Sequence, residues 1–124
     1  MVKSYKDLIV WQKSILLVKE IYILTDKFPK SELYGITSQI RRAVVSIPSN
    51  IAEGWGRRSK GQFLQSFCVA NGSALELETQ LIIAKMLRLA PEEEFVSSEK
   101  LLTEVLKMLN KITANHKPIS SSIS

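Results

Sequence analysis

An all-helical, antiparallel up-down-up-down four-helix bundle is the architecture this sequence predicts. Three observations point to it. Apolar residues recur in steps of three and four along four separate stretches, and no stretch alternates with a period of two. The punctuation between stretches is brief: Phe28-Pro29-Lys30, Gly54 to Gly61, and Ala90-Pro91. Links of about three to eight residues return each helix alongside the one before it. At 124 residues the chain fits a single domain with an ordinary core, expected over residues 1–117, with 118–124 as a frayed tail.

The first segment runs from about Ser4 to Lys27. Ser4 followed by Asp7 is a weak capping signal, because the capping box favours Glu or Gln at the second position. Leu8, Trp11, Ile15, Val18, Tyr22 and Thr25 line one face. Ile9, Leu16 and Ile23 make a second apolar line, and Leu17, Ile21, Leu24 and Phe28 a third. A helix with one core face carries a narrower stripe. The excess predicts burial on more than one side, the extra side against another subunit.

The second segment runs from about Ser31 to Gly54, with Ser31 as its cap and Glu32 favourable in the first turn. Leu33, Ile36, Ile40, Val44, Ile47 and Ile51 form its core line, and Gly35 weakens its early turns. Pro48 cannot donate to the carbonyl of Val44, a defect of about 3 kcal/mol that predicts a kink or a break.

Ser59 caps the third segment, which runs from about Lys60 to Leu89. Phe63, Phe67, Ala70, Ala74, Leu77, Leu81 and Ala84 follow a seven-residue repeat whose alanines let a neighbour approach. Gly72, costing about 1 kcal/mol against Ala in mid-helix, predicts a tight crossing there.

The fourth segment, from about Ser98 to Asn115, turns Leu102, Val105, Leu109 and Ile112 inward. Glu99, Lys100, Glu104, Lys107 and Lys111 face water. Pro91 with Glu92, Glu93 and Glu94 reads as a short helical turn before it.

Composition narrows the function. An apolar fraction of 45% with 23% charged residues is ordinary for a globular domain. The net charge of +5 and pI near 9.4 lean toward anionic partners, nucleic acid first. A single cysteine, Cys68, excludes an internal disulfide and reads as a buried helical thiol. No secretory leader and no apolar run of membrane length is present, so a cytoplasmic, non-membrane protein is expected.

Catalytic chemistry finds little to stand on. His116 is the only histidine and lies near the tail, which leaves no base for a Ser-His-Asp or Cys-His arrangement. Glu-x-x-His pairs are absent, and one Cys with one His does not suggest a metal site. Gly56 and Gly61 have the spacing of a phosphate loop, but Gln62-Phe63 stand where Lys and Ser/Thr are required. No enzyme and no cofactor are expected.

Two basic groups remain. Arg57, Arg58 and Lys60 sit beside Trp55 where the third helix begins, and its free amides favour anions. Such a group can clamp a phosphate and stack a base, or simply be a solvated loop. Arg41 and Arg42 are the second candidate. Arg42, Ser46, Ser49, Asn50 and Glu53 share a polar stripe that predicts a hydrogen-bonded helix or subunit contact, with Glu76, after Ser73, as a possible partner.

The run Gln39-Ile-Arg-Arg-Ala-Val-Val-Ser-Ile-Pro-Ser-Asn-Ile-Ala-Glu-Gly54 resembles the signature of four-helix-bundle proteins encoded in intervening sequences of bacterial large-subunit ribosomal RNA. Ala70-Asn-Gly-Ser-Ala-Leu-Glu-Leu-Glu-Thr-Gln-Leu81, Phe63, Arg57 or Arg58 and the opening Tyr5-Lys-Asp-Leu-Ile-Val-Trp-Gln-Lys13 extend the likeness. The fourth segment matches only in its amphipathic pattern. The resemblance implies a ring-like homopentamer. A related branch, the accessory proteins of diversity-generating retroelements, implies binding to nucleic acid and a reverse transcriptase. Two functions are therefore expected: a basic oligomeric scaffold for RNA or DNA, or a protein–protein adaptor without nucleic-acid binding.

Overall fold

A computed structural model of the chain describes residues 1–114. His116, the end of the fourth segment at Asn115 and the tail expected from residue 118 lie outside the described residues. Four helices form the bundle: α1 (Ile9–Thr25), α2 (Ile36–Trp55), α3 (Lys60–Met86) and α4 (Val96–Thr113). Short 3-10 turns precede three of them, at Tyr5–Asp7, Lys30–Glu32 and Glu92–Phe95. Among the described residues there is no strand.

Each helix packs on its neighbour in sequence, and α1 closes the ring against α4. Cross-helix contacts run in opposite chain directions. Thr25, at the end of α1, meets Arg41, near the start of α2, while Ser46 meets Ser73 and Gly54 meets Phe67. Lys13 pairs with Glu104, and Lys27 with Glu94 at 3.4 Å. The bundle is therefore antiparallel throughout, as the short links require. These ion pairs, with Lys85–Glu99 at 3.1 Å, lie at the surface, where solvent screening keeps each of them weak.

The N-terminal turn is capped better than the residue types suggest. Ser4 Oγ accepts the Lys6 amide, and the Asp7 carboxylate accepts the amides of Lys3 and Ser4. The shorter Asp reaches because this turn is a tight 3-10 turn rather than a full α-turn.

Of the three apolar lines on α1, the third is the core seam. Leu17, Ile21 and Leu24 are fully buried with Val10, whereas Ile15 and Tyr22 are exposed and Leu8, Trp11 and Val18 only partly covered. On a helix apolar over most of its circumference, periodicity cannot choose among adjacent seams; the positions of α2 and α4 do so.

Nor does Ser31 cap α2. It lies inside the Lys30–Glu32 turn, and α2 begins only after Gly35, which leaves Leu33 exposed rather than in the core. Through Pro48 the helix runs without a break. Ile47, Pro48 and Ile51 are all buried, so packing offsets the bond that Val44 loses. Just beyond it, Ser49 Oγ and Asn50 Nδ2 donate to the carbonyls of Val45 and Ser46, at 2.9 and 2.8 Å.

Helix α3 follows its heptads. Phe67, Ala70, Ala74, Leu77, Leu81 and Ala84 are buried, and Phe63 stacks on Phe67 with centroids 4.5 Å apart. Ser59 Oγ accepts the Gln62 amide at 3.1 Å, the predicted cap. The helix stops at Met86, short of Leu89, because Arg88 takes a left-handed φ of 56°. Its amide bonds Lys85 O while the Leu89 amide bonds Ala84 O, a Schellman closure.

Gly72 does not mark a crossing: a Cβ there would meet nothing within 4 Å. The close approach is at Gly54, where a Cβ would stand 2.9 Å from both Ser66 Cβ and Phe67 Cδ1. Cys68 is only half-buried, because it sits on the flank of α3 away from the core seam. Helix α4 buries Leu102, Val105 and Leu109 as its pattern predicts, adds Leu106 and leaves Ile112 only partly covered, and Phe95 closes the end of the core against Phe28.

Candidate nucleic-acid interface

An antiparallel bundle gathers distant sequence at each end. At one end meet the start of α1, the end of α2, the start of α3 and the end of α4. This collects Lys3 and Lys6 from the first turn, Arg57, Arg58 and Lys60 from the α2–α3 loop, and Lys107 and Lys111 from α4. All seven are exposed. Two carboxylates share that end. Asp7 is occupied by backbone amides, and Glu53 pairs with Arg57 one turn along. Seven cations against two carboxylates leave a local +5, equal to the formal charge of the entire chain.

Arg58 and Lys60 have no ion pair among the described residues. Trp55, the last residue of α2, is 37% exposed beside them. A shallow groove of about 500 Å³ runs from Arg57 and Ser59 past Gly61 and Gln62 to Gln65 and Ser66. The Ser59 side chain and carbonyl take the amides of Gln62 and Phe63, leaving those of Lys60 and Gly61 for an incoming anion. Lys6 lies 5.9 Å over the Tyr5 ring, which packs edge-on against Trp11 at 5.3 Å. This arrangement can hold phosphate oxygens and offer one indole face to a base.

The structure separates Arg41 and Arg42 from this end. Trp55 lies thirteen positions beyond Arg42 on α2, about 20 Å of helix. Arg41 is half-buried and committed: its Nε donates to Thr25 Oγ1 at 2.9 Å and its guanidinium lies 4.5 Å over the Tyr22 ring. It ties α2 to α1. Arg42 is exposed.

The polar stripe resolves into a small network between α2 and α3. Ser46 Oγ and Ser73 Oγ are 2.8 Å apart, and Asn50 Nδ2 donates to Ser46 O and to its Oγ at 3.0 Å. Glu53 stands outside it, turned to Arg57. Glu76 accepts a long 3.4 Å bond from Gln80 and borders, with Arg42, a cleft of about 340 Å³ over Ser46 and Ser73. Ser73 is the member that sequence reading passed over; only its level on α3 opposite Ser46 reveals it. Among the described residues no cluster of His, Cys, Asp or Glu could hold a metal ion. No helix among them is long and apolar enough to cross a membrane.

Comparison with known proteins places the fold. No curated protein matches the chain. A crystal structure of a protein of unknown function from the S23 ribosomal protein family of Bacteroides thetaiotaomicron superposes with a TM-score of 0.78. It is 25% identical and covers 85% of this chain and 98% of its own. The family model of the 23S rRNA-intervening sequence protein matches residues 6–111, nearly all of the described chain, and this protein belongs to that family.

Proposed function

We propose that the chain is a non-enzymatic, cytoplasmic homo-oligomer, a pentamer by family resemblance, that binds RNA or DNA as a scaffold or accessory factor through the basic end of the bundle. The observation that carries this reading is the local charge. Lys3, Lys6, Arg57, Arg58, Lys60, Lys107 and Lys111 come from three separate stretches of sequence to one end, beside a half-exposed Trp55. A pentamer multiplies that charge fivefold, enough for strongly salt-dependent attraction to phosphates.

The test is fluorescence anisotropy with labelled structured RNA and duplex DNA across a salt series, with light scattering on the same samples. Binding should fall steeply with salt. Replacing Arg57, Arg58 and Lys60 together by Ala should lower the slope of log K against log salt by about 2–3. Arg42→Ala, about 20 Å away along α2, should leave the slope unchanged. An unchanged slope in the triple variant refutes the assignment. The apolar surface on α1 and α3 favours a second reading, an adaptor for a protein such as a reverse transcriptase. A stable oligomer that binds neither nucleic acid at low salt would favour it.

A further inference from the structure

The groove beside the α2–α3 loop is cationic at one end only. At its mouth the amides of Lys60 and Gly61 are unspent, and a Cβ on Gly61 would meet nothing within 4 Å, so open space lies before them. Arg57 lines the same mouth. Glu53 holds one of its nitrogens, and the rest of the N–H fork is left for an anion. Further in, the lining is uncharged: Gln62, Gln65 and Ser66. No Lys or Arg occurs on α2 from Ala43 to Trp55, or on α3 from Gly61 to Ala84.

Ser66 marks the inner end. It is only 6% exposed, yet it lines the groove, and its hydroxyl has no hydrogen-bond partner among the described residues. Ser49, Thr79 and Thr103 each donate to the carbonyl four residues back. Ser66 makes no such bond, so its proton and lone pairs remain for a group in the groove. Across the helix seam Ser66 Cβ faces Gly54, and Glu53 adjoins it in the chain. A carboxylate, a hydroxyl and an amide together are the groups that hold sugar hydroxyls.

The matching ligand has an anion at one end and adjacent hydroxyls at the other. Six positions separate Lys60 from Ser66, about 9 Å of helix, a span that one nucleotide covers from phosphate to ribose. An internal nucleotide has a phosphate on both sides, and the second would fall at the uncharged end beside Glu53. A 3′-terminal ribonucleotide has one phosphate and a free pair of hydroxyls.

We propose that this groove captures the 3′-terminal nucleotide of a single-stranded RNA. Its phosphate sits on the Lys60 and Gly61 amides and Arg57, and its 2′- and 3′-hydroxyls on Ser66, Gln65 and Glu53. Upstream, the strand runs back over the basic end, where Arg58, Lys107 and Lys111 meet its phosphates. This rests on the nucleic-acid reading above and adds which part of a strand the site selects.

The experiment is fluorescence anisotropy with one single-stranded RNA, labelled at its 5′ end and finished in three ways: a free ribose, a 2′,3′-dideoxyribose or a 3′-phosphate. The free end should bind about ten- to thirtyfold tighter than the dideoxy end, as two net hydrogen bonds allow. The 3′-phosphate should bind no better than the dideoxy end. That ratio should persist across a salt series while every affinity falls, because bonds to hydroxyls release no counterions. Ser66→Ala, with helicity checked by circular dichroism, should reduce the ratio to about threefold or less and keep the salt slope. Should that variant lose helicity, Gln65→Ala, at an exposed position, replaces it with the same expected fall. Equal binding of the three ends overturns the proposal and leaves the nucleic-acid reading intact, as does a ratio that the folded variant leaves unchanged. Failure of all three strands to bind at low salt overturns that reading, and the proposal with it. Adenosine monophosphate separates a strand end from a free nucleotide. It should displace the RNA only at concentrations far above the Kd of the strand; displacement at comparable concentrations overturns the strand-end assignment.

Discussion

Replacing Gly54 by Ala tests the closest contact in the bundle. The added Cβ would lie 2.9 Å from Ser66 Cβ and from Phe67 Cδ1, and 3.0 Å from Phe67 Cε1. Carbon atoms in contact prefer about 3.5–4.0 Å, so roughly 0.5–1 Å must be found. Little there can yield. Ser66 Cβ belongs to the framework of α3, and the Phe67 ring is buried and stacked on Phe63. Helix α2 must therefore lift from α3, which loosens the contacts made through Ala70 and Ala74. Overpacking of this kind costs about 1–3 kcal/mol, while Ala improves on Gly in a helix by about 1 kcal/mol. The net expectation is a loss of up to about 2 kcal/mol, or a Tm lower by up to about 8 °C. Gly72→Ala is the control: with nothing within 4 Å it should gain about 1 kcal/mol. Both should be unfolded by heat and urea at one protein concentration, because any assembly adds concentration-dependent stability. A Gly54→Ala protein that gains as much stability as Gly72→Ala would refute the packing argument.

Arg88→Gly should raise stability by about 1 kcal/mol in urea unfolding, since a left-handed residue costs a side chain that much and glycine nothing comparable. Ser46→Ala should cost about 1–2 kcal/mol, because Asn50 and Ser73 each lose a partner; a double-mutant cycle with Ser73→Ala should show the two costs failing to add. The hydrogen bond from Lys13 holds the Glu104 carboxyl below the ordinary glutamate range. A depressed carboxylate pKa adds stability above the unfolded value and loses it as pH falls through the folded one. The gap between wild type and Glu104→Gln in urea unfolding should therefore be present at neutral pH and close between about pH 5 and pH 3.

Much of the architecture was legible before any coordinates. Four periodic stretches, sparse punctuation, the Ser59 cap and the heptads of α3 each depend on local spacing, and local spacing is what a sequence displays directly. The errors, and the core seam of α1 that spacing left open, share one cause. The choice among three apolar lines on α1, the exposure of Leu33 and the open surroundings of Gly72 all depend on which neighbour stands opposite. Pro48 belongs with them. Intrinsic propensity predicts a kink or break there, but the buried positions on both sides hold α2 continuous.

The candidate interface divides the same way. Arg57, Arg58 and Lys60 are adjacent in the chain and were recognisable together. Lys3, Lys6, Lys107 and Lys111 join them only because the ends of α1 and α4 come to the same place, while Arg41, close in sequence and alike in charge, is spent on Thr25 and Tyr22. The sequence by itself determined that this protein is helical, basic and more apolar than one bundle core requires, since composition and periodicity survive without knowledge of neighbours. Only the tertiary structure decided which seam is core, which glycine is crowded and where the charge collects. Those are properties of pairs of residues far apart in the chain, and a pair has no position until the helices pack.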